Sequence, residues 1–264
     1  MAVALARPIA AQTPPPRASD SDVIAARAES LRLAGRPWHA AELLLAAAAR
    51  DPRPNASFVV QGAEAELGAR RYERARSLLV GRLWLDVYDH GAALAILGAA
   101  EARLGLYQDA AMHFEAARQR ARGANAPLWA VRAGLAWEQA GERESAATEF
   151  ARALDAGVPA IDPWVRLRLA RVVRDTARAA LLLANLPPPV ARDAPAAWAQ
   201  ALLGAGDSLA ALERFAQAGR SLDVGRLALR MGDSTRARDA LYALMARGPE
   251  SSTRGRSPSW PDRA

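Results

Sequence analysis

The sequence predicts an all-α fold, a right-handed α-α superhelix of about seven helical hairpins built from 264 residues. Three observations lead there. Apolar residues make up 51% of the chain and are mostly Ala and Leu, with few β-branched or aromatic side chains, a balance that favours helix over strand. Apolar positions recur at helical spacing between glycine or polar turns. Four alanines, Ala40, Ala75, Ala110 and Ala146, stand 35, 35 and 36 residues apart, an interval that fits one helix-turn-helix unit.

The clearest unit runs from Gly91 to Arg122. Its first helix carries a face at Leu94, Leu97, Gly98 and Glu101, the chain turns at Gly105 to Tyr107, and a second face follows at Ala110, Phe114 and Ala117. One such hairpin buries too little surface to offset the entropy of ordering it, so it needs neighbours. Close crossing of the two helices requires a Gly or Ala opposite a large side chain, which makes Gly98 and Ala110 intolerant of bulk.

Copies of the pattern lie on both sides. Gly35, Ala40, Leu44 and Ala47 mark a first unit, with Asp51-Pro52 expected to stop its helix. Gly62, Tyr72, Ala75 and Leu79 mark a second, whose turn carries an extra residue. Gly134, Trp137, Gly141, Ala146, Phe150 and Ala153 mark a fourth, ending near Pro159. On these residues, 21–160 resembles four tetratricopeptide repeats. The resemblance implies stacked hairpins whose first helices line a concave groove, and a role in holding protein or peptide partners.

Residues 161–247 read as shorter hairpins continuing the array. A helix begins at Pro163, its partner runs from Thr176 to Leu186, and Pro187-Pro188-Pro189 is expected to end it and form an extended spacer. Gly206-Asp207-Ser208 leads to Ala211 and Phe215, and Gly232-Asp233-Ser234 to Ala237 and Leu241, with Asp or Ser placed to cap each second helix.

Residues 1–20 read as a disordered stretch or the remnant of a signal peptide: Val3 to Ala11 is apolar and meets small residues before Thr13-Pro14-Pro15-Pro16, although no basic segment precedes it. A periplasmic or secreted location is therefore the expectation, with the cytoplasm as the alternative. Residues 248–264, rich in Pro, Ser and Arg around Trp260, read as a disordered tail. The abrupt loss of the repeat there suggests a truncated or frame-shifted reading. No apolar run has the length of a membrane span.

Composition also excludes function classes. Without cysteine there is no disulfide, thiolate nucleophile or cysteine-ligated metal. The net charge of +7 comes from arginine alone, scattered along the helices near Asp and Glu, which describes a solvated helical surface better than a nucleic-acid face. His39, His90 and His113 form no spaced ligand pair. Carboxylates two apart, Glu64 with Glu66 and Glu142 with Glu144, point different ways on a helix and suit surface salt links. The tryptophans, one or two per unit, suit core filling. No catalytic, cofactor or metal constellation is expected.

In this layout the groove would be lined by Arg103, Arg132, Glu138, Arg166 and Arg226, a wall suited to acidic peptide segments or an anionic polymer. The expected function is a non-catalytic scaffold for a protein or peptide. A second reading comes from layout alone, over about residues 20–247. Hairpins that shorten toward the C-terminus resemble the superhelical N-terminal region of soluble lytic murein transglycosylases, which implies a role in peptidoglycan turnover. The catalytic Glu-Ser segment of that family is missing, so this chain would not cleave glycan by itself.

Overall fold

A computed structural model describes residues 19–50, 56–123 and 125–246; the expectations placed on 1–18, on Asp51-Pro52 and on 248–264 lie outside these. The described residues contain no strand. They form fifteen α-helices: α1 (Asp20–Leu33), α2 (Pro37–Arg50), α3 (Ala56–Gly68), α4 (Tyr72–Leu79), α5 (Ala92–Leu104), α6 (Tyr107–Arg120), α7 (Asn125–Ala140), α8 (Arg143–Asp155), α9 (Asp162–Val172), α10 (Thr176–Leu183), α11 (Pro188–Ala191), α12 (Ala194–Gly204), α13 (Ser208–Gln217), α14 (Ser221–Arg230) and α15 (Ser234–Ala246). A 3-10 turn, Tyr88–Gly91, precedes α5. The chain divides into two compact units, one reaching Trp84 and one beginning at Leu85.

In the first unit, α1 packs on α2, α2 on α3 and α3 on α4. A capping box starts α1: the Ser19 hydroxyl accepts the Asp22 amide at 3.2 Å, and Asp22 accepts the Ser19 amide at 3.1 Å. The core gathers Ala28, Ala40, Ala41, Leu44, Phe58 and Ala65. The left-handed turn before α4 is held by Arg70, at φ 61°, where the later hairpins use Gly105 and Gly141.

In the second unit the helices also pack mainly on their chain neighbours, from α5 on α6 through α8 on α9, and from α12 on α13 through α14 on α15; α12 additionally covers α9. Small residues decide where helices cross. A Cβ on Gly98 would meet the Ala110 carbonyl oxygen at 3.0 Å, and one on Gly134 would meet the Phe150 ring at 2.8 Å. Ala40, Ala75, Ala110 and Ala146 are fully buried, and Ala179, Ala211 and Ala237 take the corresponding place in α10, α13 and α15. Each hairpin thus reuses one device: a small residue on the second helix that lets the first approach.

Two expectations change. The helix expected to reach Leu186 ends at Leu183, with Asn185 at φ 55°. The triple proline is not a plain extended spacer: Pro187 is extended, but Pro188 opens the helical turn α11, since a proline's fixed φ and missing N–H suit a first helical position. Asp207 and Asp233 cap α13 and α15 by accepting the amides of Ala210 and Arg236.

Candidate functional site

The five groove candidates lie on first helices of hairpins. Arg103 (α5), Arg132 (α7) and Arg226 (α14) are exposed. Arg166 (α9) donates to the carbonyls of Leu181 and Ala184, at and just past the C-terminal end of α10. Glu138 (α7) is drawn into packing. Its carboxylate meets Arg168 at 3.1 Å and Arg171 at 3.3 Å, both on α9, rather than any other candidate.

That junction holds the one buried arginine among the described residues. Arg168 is only 8% exposed and lies over the Trp164 ring at 4.9 Å. Burial pulls its guanidinium below the ordinary value while Glu138 opposes the shift, so the ion pair keeps the cation charged where water is scarce. Nearby, Arg143 at the start of α8 donates through Nη2 to the carbonyl of Arg171 at 2.7 Å and to that of Gln200 at 3.3 Å, tying α8 to the end of α9 and the middle of α12. Gly204 on α12 gives this guanidinium its room: a Cβ there would overlap Nη2.

Three carboxylates are buried more deeply than Glu138, and the sequence reading missed their environments. Glu66 has no exposed surface and pairs with Arg71 at 3.4 Å and Arg74 at 3.0 Å, so it is not a surface link; Glu64 is, with Arg32. Glu101, 1% exposed, meets His113. Glu66 and Glu101 stand 35 residues apart at one place in the repeat. Each accepts, through its carbonyl, the amide five residues on, as Leu31, Trp137 and Leu202 do in other hairpins. A carboxylate fits this otherwise apolar position because the following helix supplies a cation. Glu149 on α8 meets Arg118 of α6 at 3.1 Å and Arg152 of its own helix; burial pushes its carboxyl up while both arginines pull it down. Beside it, Trp137 Nε1 donates to Glu115 across α6 and α7.

The remaining sequence candidates stay apart. His39 stacks on Trp38 and faces Arg36, and His90 is exposed in the 3-10 turn at φ 50°. Among the described residues no three His, Asp or Glu side chains converge as metal ligands, and no helix is long and apolar enough to cross a membrane. Trp129 is buried, whereas Trp38 remains 42% exposed.

Fold and buried charges together define an all-α chain of helical hairpins, compatible with a helical repeat, whose internal ion pairs join neighbouring helices. No family model matches the chain, and no curated protein matches it in sequence.

Proposed function

We propose that the chain is a non-catalytic scaffold of the tetratricopeptide type that holds a protein or peptide partner. In the unit beginning at Leu85, the hairpins wind as a right-handed superhelix with first helices on the inner wall. The observation that carries this reading is the division of labour among the charged residues on those helices. Glu138 and Arg166 are consumed in packing, while Arg103, Arg132 and Arg226 stay exposed on α5, α7 and α14. Planar guanidinium groups at intervals along one wall suit the carboxylates of an acidic segment.

Selection of displayed peptides on the immobilised full chain tests this. Enrichment of acidic peptides whose binding falls in the Arg103→Glu, Arg132→Glu double variant is expected. A chain that enriches no peptide but sediments with purified peptidoglycan sacculi overturns the reading and favours the superhelical region of a periplasmic lytic transglycosylase.

A further inference from the structure

The hairpin of α14 and α15 seals only one of its faces. Val224, Leu227 and Ala228 are buried together with Leu212, Phe215, Ala237 and Ala240. On the open side Leu222, Leu229, Leu241 and Met245 remain 44%, 60%, 44% and 75% exposed. The two helices meet at Gly225, where a Cβ would lie 3.8 Å from Ala240 Cβ and 4.0 Å from Leu241 Cδ2. At helical spacing, Leu222 and Leu229 fall just to one side of Gly225 on α14. Leu241 and Met245 fall to the same side on α15, given the opposed directions of the two helices. The four side chains therefore form one apolar strip along the seam. Its floor is the half-covered Leu222 and Leu241, and its walls are Leu229 and Met245.

Charge borders the strip. Arg226 and Arg230 follow Leu222 and Leu229 around α14, both exposed, and neither meets a carboxylate among the described residues. From Leu222 to Leu229 is seven residues of helix, about 10 Å, the span covered by positions i to i+7 of another helix. A helix docking there would bring an apolar stripe to the leucines and acidic flanks to the arginines.

From this juxtaposition we propose that the α14–α15 seam docks an acidic amphipathic helix of a protein partner. The proposal rests on the peptide-binding reading above and adds that its acidic ligand seats an amphipathic helix at the α14–α15 seam, beside Arg226 of that wall. A second copy of this chain is a poor occupant, because each copy carries a net charge of +7 and would set arginines against arginines. An anionic membrane would meet only four apolar side chains there, two of them less than half exposed, and is separated from a docked helix by the test below.

The test uses the full chain and a fluorescein-labelled peptide of about 18 residues, with Leu at i, i+3, i+4 and i+7 and Glu on both flanks, a length that forms a few helical turns. Saturable anisotropy is expected, weakened about tenfold or more by Leu229→Glu and by Arg226→Glu with Arg230→Glu, as losing buried contacts or reversing facing charges requires. Leu181→Glu, a 74% exposed leucine on α10, should leave binding unchanged. A peptide with Lys flanks should bind the doubly reversed variant better than the wild type. Circular dichroism of each variant confirms that it is folded. The inference is overturned if Leu181→Glu weakens binding as much as Leu229→Glu. It is overturned equally if Leu229→Glu abolishes capture by phosphatidylglycerol vesicles, or dissolves a dimer, while the peptide is ignored. Binding lost in Arg103→Glu with Arg132→Glu but kept in Leu229→Glu overturns the seam and leaves the wider reading standing.

Discussion

His113 Nδ1 donates to Glu101 Oε2 at 2.6 Å, joining α6 to α5 across a hairpin whose carboxylate is almost wholly buried. The hydrogen bond to Glu101 raises the imidazole above its ordinary value of 6.5; burial opposes this, and Asp109 adds to it. A group raised on folding contributes stability that is complete below pH 6.5 and disappears as pH climbs through the folded value. Replacing His113 by Gln should therefore cost most in mildly acidic buffer, about 1–3 kcal/mol for a lost bond to a charged group. Chemical denaturation of both proteins from pH 5.5 to 9 checks this: the gap should narrow as pH rises.

Gly134 faces Phe150 closely enough that a Cβ would enter the ring's contact shell. Gly134→Leu should overpack α7 against α8 and destabilise by about 1–3 kcal/mol. Phe150→Leu in the same chain should recover part of that loss, which a double-mutant cycle would register as coupling. Gly98→Trp should act alike on α5 and α6, where Ala110 and Phe114 close the space.

These crossings were legible in the sequence because the signal is local: a small residue, a turn and a bulky residue at fixed offsets identify a hairpin whatever surrounds it. The fates of the charged residues were not. Glu101 sits on the apolar stripe of its helix, but its partner lies across the turn, where spacing gives no direction. Glu66 looked like half of a surface pair until Arg71 and Arg74 folded over it. Glu138 was read as a groove residue because its cations are 30 and 33 residues away on α9, and only the rotation of that helix decides whether they face it.

Removing one member of the Glu138–Arg168 pair strands the other in a dry site. Glu138→Ala should cost about 3–5 kcal/mol, the usual loss when a buried charge is left unpaired. Glu138→Leu combined with Arg168→Met should regain most of it. Urea midpoints of the wild type and the two variants decide; a double variant as unstable as the single would contradict the argument.

Arg143 and Gly204 form another coupled pair, since the guanidinium occupies the space a side chain on α12 would need. Gly204→Leu should displace it from the carbonyls of Arg171 and Gln200. Added to Arg143→Met, the same change should cost much less than it does in the wild type. Thermal melts of the single and double variants measure that difference.

The claim beneath all of this is that each hairpin is held chiefly by the ones beside it in the chain. Native-state hydrogen exchange on wild type and Gly134→Leu tests it most directly. Protection should fall most in α7 and α8, less in α5, α6 and α9, and least in α14 and α15. Equal loss of protection from α5 through α15 would mean that the unit opens as one cooperative globule, and would contradict the account.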